Sequence, residues 1–161
     1  MSLDLIVNEV RSSWEHWICL TGGEPLIQHD AHEALEAFTQ LGKSVLVETN
    51  GSVYIKNFLL KNTIFDMDVK TPSSGEENSF DLRNLDVMRQ DDYLKFVIAD
   101  LQDYLFAKEF LKKNSFNGTV IFQPAFGIDF KWIPEKILND HLHVRFLLQL
   151  HKQIWGNIRR R

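Results

Sequence analysis

Apolar residues along this chain follow a helical period and an extended period in alternation. Leu3, Ile6, Val7, Val10 and Trp14 recur at helical spacing, so the chain opens on an amphipathic helix. Trp17–Thr21 reads as a strand. Asp30 and Glu33 have the spacing of a capping box before a helix with Leu35, Phe38 and Leu41 on one face, stopped at Gly42. Ser44–Glu48 is a second strand, followed by an Asn50-Gly51 turn and a short helix capped by Ser52. Ile64–Val69 is a third strand and leads into a polar loop, Thr71 to about Ser79, that is expected to move. Tyr93–Ala99 is a fourth, after which Asp100 caps a helix built on Leu101, Tyr104, Leu105 and Leu111. Asn117-Gly118 turns into a fifth strand, Thr119–Gln123. Ile133-Pro134 begins a short helix, and Val144–Leu148 is a last strand before a terminal helix around His151.

Strands alternating with helices predict an α/β fold with a mostly parallel sheet and right-handed crossovers, one domain over residues 1–161. In such architectures ligands sit at the C-terminal ends of the strands. The segments Thr21-Gly22-Gly23-Glu24-Pro25, Glu48-Thr49-Asn50-Gly51-Ser52, Asp68-Val69-Lys70-Thr71-Pro72 and Gln123-Pro124-Ala125-Phe126-Gly127 end four different strands, which points to one shared site. Bare backbone at Gly22 and Gly23, with the Glu24 carboxylate, suits a ligand's ammonium; an ordinary glycine turn explains the same five residues. Glu48 reads either as a site residue or as a cap for the following helix, and Lys70 as a site residue or an exposed loop cation. Asp66 and Asp68 alternate with Phe65 and Met67, so one face of that strand is polar.

Composition narrows the classes. Hydrophobic residues at 44%, charged residues at 25% and a net charge of -4 describe a soluble globular chain with no general affinity for nucleic acid. Arg159-Arg160-Arg161 reads as a frayed, solvated terminus. No apolar run is long enough to span a bilayer, and Asp4, Glu9, Arg11 and Glu15 exclude a secretory leader, which predicts a cytoplasmic protein. The one cysteine, Cys19, excludes a disulfide framework or a multi-cysteine metal site within these residues, and its apolar run predicts a buried core position. His29 with His32, and His141 with His143, lack the third ligand that a zinc site needs.

The Thr21–Pro25 and Glu48–Ser52 segments are followed in order by Asp68–Gly75, Leu94-Lys95-Phe96-Val97, Gln123-Pro124 and Gln149-Leu150-His151-Lys152. Together they resemble 7-carboxy-7-deazaguanine synthase, a radical S-adenosylmethionine family of queuosine and archaeosine biosynthesis. The resemblance runs from about Val10 to Trp155. It implies a partial (β/α) barrel of the radical S-adenosylmethionine type. It also implies cofactor contacts from Gly22, Gly23, Glu24, Asp68, Val69, Lys70, Gln123 and Pro124, and substrate contacts from Thr21, Glu48, Asn50 and His151. Family members often carry Ser-Pro-Lys where this chain has Asp68-Val69-Lys70, which favours carrying over Lys70 before Asp68.

In the family, S-adenosylmethionine, a [4Fe-4S] cluster and Mg2+ serve the ring contraction of 6-carboxy-5,6,7,8-tetrahydropterin to 7-carboxy-7-deazaguanine. Its C-x3-C-x2-C cluster motif has no counterpart here, where Cys19 stands alone. The expectation is therefore a chain that lacks the first strand and cluster loop and is inactive by itself. Alternatives are a cluster-less S-adenosylmethionine-binding or assembly subunit, or a metal-free nucleotide-binding domain. An uncovered first strand predicts a sheet edge that pairs with another chain, so a homodimer is expected.

Overall fold

The computed structural model describes residues 2–156 and 158. The Arg159-Arg160-Arg161 tail lies outside the described residues.

Helix α1 (Leu3–Ser12) precedes strand β1 (Trp17–Leu20), followed by α2 (Ala31–Gln40), β2 (Ser44–Thr49) and β3 (Thr63–Val69). The chain continues through a short α3 (Asn84–Val87), β4 (Tyr93–Ile98), α4 (Leu101–Lys113), β5 (Thr119–Pro124), α5 (Trp132–Asn139), β6 (Arg145–Phe146) and α6 (Leu150–Trp155). All six strands share one sheet in sequence order, and every pairing is parallel, as the alternation of elements predicts. β1 and β6 are its two edges.

Alternation along the strands decides which face is covered. On β3, Thr63, Phe65, Met67 and Val69 are buried while Ile64, Asp66 and Asp68 on the other face are not fully so. β2 and β4 repeat the pattern with Val45, Val47, Leu94, Phe96 and Ile98. These side chains form one core with Leu35 and Phe38 of α2, Tyr104 and Ala107 of α4, and Ile133 and Ile137 of α5.

Several local expectations give way to tertiary contacts. Asp30 occupies the N-cap of α2 without a capping hydrogen bond, because its carboxylate takes the His29 ring at 2.7 Å. No helix follows Ser52 directly; a short 3-10 turn spans Ile55–Phe58 behind Tyr54. Asp100 does cap α4, accepting from the amides of Gln102 and Asp103. That helix buries Tyr104 and Ala107 and leaves Leu101 and Leu105 exposed. β6 is only two residues long. The polar loop after β3 is tied at its start, where the Ser73 amide donates to Asp103 at 2.9 Å and the Ser74 hydroxyl to the Thr71 carbonyl at 2.6 Å.

At the N-terminal ends of the strands one carboxylate joins three segments. Asp92 is fully buried and accepts from the amides of Phe65 and Arg89 at 2.9 and 2.6 Å, while the Arg89 guanidinium also bonds the Leu60 carbonyl at 3.1 Å. Asp92→Ala leaves the buried Phe65 amide and the partly buried Arg89 amide without their acceptor and is expected to lower stability by about 2–4 kcal/mol, measured as a lower midpoint in urea with unchanged slope.

Candidate functional site

The parallel sheet brings the ends of β1, β2, β3 and β5 to one rim, and the loops that leave them are stitched together. The loop after β1 is joined to β2 at two places. Thr21 donates its hydroxyl to Glu48 at 3.0 Å, and Glu24 accepts from the Thr49 hydroxyl at 2.8 Å and the Asn50 amide at 2.7 Å. Glu48 therefore bonds a neighbouring strand end and caps no helix. Gly51 is buried at φ +71, a conformation that side-chain-bearing residues rarely adopt, and a methyl group there would meet the Phe80 ring at 2.5 Å. The Asn84 side chain closes this turn from α3, donating to the carbonyls of Gly51 and Val53.

The loops after β3, β4 and β5 are joined in the same way. Thr71 donates to the Val97 carbonyl at 3.0 Å. The fully buried Asp103 carboxylate accepts from the amides of Ser73 and Ala99, and the Ala125 amide bonds the Ile98 carbonyl. Asp103 escapes sequence reasoning because its position in the first turn of α4 looks like an ordinary dipole-favouring acid.

Below the rim, the face of the sheet away from the helices is charged. The register sets Glu48 beside Asp66, and Asp68 beside Lys95. Lys95 pairs with Asp66 at 2.7 Å, each side chain 14% exposed, and Lys70 pairs with Asp68 at 2.7 Å in a more open position. Lys95 is the residue the sequence reading left without a role. Asp66 and Asp68 each keep one buried oxygen without a hydrogen-bond partner.

Burial raises the Asp66 carboxyl above its ordinary range, outweighing the downward pull of Lys95. For Lys95 burial acts downward, and attraction to Asp66 with its hydrogen bond prevails, so that ammonium is raised as well. Cys19 belongs to this face and not to the core. The residue is exposed, and its thiol is pushed up first by partial desolvation and then by Glu48 and Asp66.

The other expected site residues divide. Gly22 and Gly23 are exposed, with open space around both α-carbons, beside a cleft of ≈ 400 Å³ lined also by Leu3, Ile6 and His29. Val69 and Pro124 are buried in the sheet, while Gln123 lies on the less buried face of β5. His151 is exposed on α6, and its side chain makes no hydrogen bond among the described residues; the adjacent Lys152 reaches the β5 loop, its ammonium 5.4 Å from the Phe126 ring centre. His29 and His32 pair with Asp30 and Glu36.

No protein-family model matches the chain. The 7-carboxy-7-deazaguanine synthase of Thermoplasma acidophilum is 41% identical over 157 residues, covering 97% of this chain and 75% of that relative. The chain belongs to the 7-carboxy-7-deazaguanine synthase family. The synthase of Koribacter versatilis is 37% identical over 153 residues, 84% of this chain and 67% of that protein. Among solved structures, QueE from Escherichia coli superposes with a TM-score of 0.70 at 20% identity, over 92% of this chain and 64% of its own. Streptococcus suis SuiB bound to S-adenosylmethionine superposes at 0.62 with 12% identity, covering 91% of this chain and 42% of that protein. The six-stranded parallel sheet is thus the partial barrel expected of a 7-carboxy-7-deazaguanine synthase.

The charged face makes a pH-dependent prediction. A raised carboxyl contributes stability that is present below its unfolded-state pKa and lost as pH rises through the folded-state value, so ionised Asp66 depends on Lys95 at neutral pH. Lys95→Met is expected to cost about 2–3 kcal/mol at about pH 7 and less at about pH 5, with Asp66→Asn added to it recovering most of the loss, read from urea unfolding of each variant.

Proposed function

We propose that these residues form the S-adenosylmethionine- and pterin-binding part of a 7-carboxy-7-deazaguanine synthase, and that catalysis requires thiolates from outside them. The observation that carries this reading is the Thr21–Glu48 hydrogen bond across two strand ends, which gathers the first two loops of a family member onto one rim. In this reading Gly22, Gly23 and Glu24 serve the methionine amino group, directly or through the loop they form. Lys70 and the segment from Gln123 to Phe126 line the adenosine side. Thr21, Glu48 and Asn50 face the pterin. His151 belongs with the substrate residues through the family match alone.

The residues fit the groups unequally. S-adenosylmethionine is a cation, and the inner face offers Glu48, Asp66 and Asp68 against Lys70 and Lys95. The open backbone at Gly22 and Gly23 gives a ligand close access. An iron–sulfur cluster does not fit, because it is held by several thiolates and the chain has one cysteine, whose pKa is raised. No group of three or more His, Cys, Asp or Glu converges on a cation site among the described residues. Bound S-adenosylmethionine and cluster would supply radical chemistry, while this chain's residues would bind, orient and exclude water. By this reading the 161 residues bind ligand without turning it over.

The same proposal includes a homodimer over the β1 edge, where Trp17 is 55% exposed beside unpaired backbone groups. Among the described residues no helix is long and apolar enough to cross a membrane.

Titration calorimetry of iron-free protein with S-adenosylmethionine tests the reading. A Kd tighter than about 1 mM supports it, and Glu48→Ala should leave that affinity within about threefold while abolishing pterin binding. Absent or weaker binding to S-adenosylmethionine counts against the assignment. Light scattering at micromolar concentration should return twice the 18.8 kDa chain mass, and a monomer would remove the dimer from the proposal.

A further inference from the structure

Glu24 stands where a carboxylate is expected to meet a ligand's ammonium, yet its oxygens are turned back into the protein. Oε1 accepts from the Leu26 amide at 3.1 Å and from the Thr49 hydroxyl at 2.8 Å. Oε2 accepts from the Asn50 amide at 2.7 Å. The relay goes further, because the Gly51 amide donates to the same Thr49 hydroxyl at 3.2 Å, and Thr49 is only 3% exposed. The Gly51 carbonyl is held from the other side by Asn84. A carboxylate has about four acceptor positions, and three of these are filled by donors from two loops. Leu26 follows the glycines of the β1 loop, Thr49 ends β2 and Asn50 follows it, so one partly buried network spans both strand ends. Gly22 and Gly23 on the exposed side have nothing near their α-carbons, and Gly22 sits at φ +153, a conformation side chains rarely adopt.

We propose that Glu24 is a positioning residue, whose carboxylate locks the β1 loop onto the end of β2 through Thr49 and Asn50 and so fixes Thr21, Gly22 and Gly23 toward the ligand. Glu24 then acts on the ligand through the loop it holds and not by direct pairing. This rests on the S-adenosylmethionine reading and refines it. Charge on Glu24 matters because bonds to an ionised acceptor are stronger than neutral ones, and three donors share it. The Thr21–Glu48 bond bridges the same two strand ends, so loosening Glu24 also frees the hydroxyl of Thr21.

Two measurements separate this role from direct pairing. Amide hydrogen exchange on the ligand-free protein is expected to speed at Leu26, Asn50 and Gly51 in Glu24→Gln and Thr49→Val, with β4 amides unchanged. Calorimetry with S-adenosylmethionine then reads the consequence. Thr49→Val alters a side chain that lies behind Glu24, and is expected to weaken binding about tenfold, as Glu24→Gln does. The double variant should be no weaker than Glu24→Gln alone, and Thr49→Ser, which keeps the hydroxyl, should restore the wild-type affinity.

Glu24→Asp keeps the charge but is too short to span both loops, so positioning predicts loss of affinity where charge pairing predicts retention. It decides the matter if Thr49→Val fails to fold. Wild-type exchange at Asn50 in Glu24→Gln, together with unchanged affinity in Thr49→Val or Glu24→Asp, would overturn the proposal. Should the wild-type protein bind no S-adenosylmethionine, the ligand reading fails, and exchange at Leu26 and Asn50 still decides whether Glu24 holds the loops.

Discussion

A parallel sheet built from crossovers ordinarily has helices on both faces, and here the helices cover one. The rest of the molecule follows from that constraint. The covered face of β2, β3 and β4 is continuous apolar surface, from Val45 and Val47 through Phe65 and Met67 to Leu94 and Phe96. The other face carries Glu48, Asp66, Asp68 and Lys95 in register across three adjacent strands. Charges this close to a low-dielectric core must be compensated, and the Asp66–Lys95 and Asp68–Lys70 pairs do so at 2.7 Å each. Compensation is incomplete, since one oxygen of each aspartate is left buried and unbonded. That face is therefore polar by construction, as the interior of a ligand-binding barrel is.

The second constraint lies at the strand ends. Once a chain leaves the ladder its amides lose their sheet partners, and buried amides need acceptors. Acidic side chains supply several of them in this fold. Glu24 serves the first two strand ends, Asp103 the loops after β3 and β4, and Asp92 the opposite rim. Each is a single residue taking donors from segments distant in sequence, so the loops are fixed relative to one another and not only to their own strands. The rim assembled from four loops is held together by that relation.

The two levels of description part company where a local signal has a tertiary competitor. Asp30 and Glu33 have capping-box spacing, and His29 captures the aspartate. The turn at Asn50-Gly51 is where the sequence puts it, but the next helical turn waits until Ile55, where the chain is fixed by the Asn84 side chain. Leu101 and Leu105 look like a helix core and stay exposed, because α4 meets the sheet through Tyr104 and Ala107. Cys19 lies in an apolar run and still faces the charged side, since β1 is an edge strand with weak alternation. α3 and the Asp92 network had no periodicity to reveal them.

Sequence alone determined the order of strands and helices, the parallel sheet and the family, and it set the strand ends as the expected site, because periodicity and short glycine- and proline-bearing motifs are local properties of the chain. It also marked Asp66 and Asp68 as one polar face. Tertiary structure decided which partner each charge takes. It gave Asp66 to Lys95, Thr21 to Glu48 and the Glu24 carboxylate to Thr49 and Asn50. Those pairings join residues 25 or more positions apart, so only strand register and the desolvation of buried donors could select them.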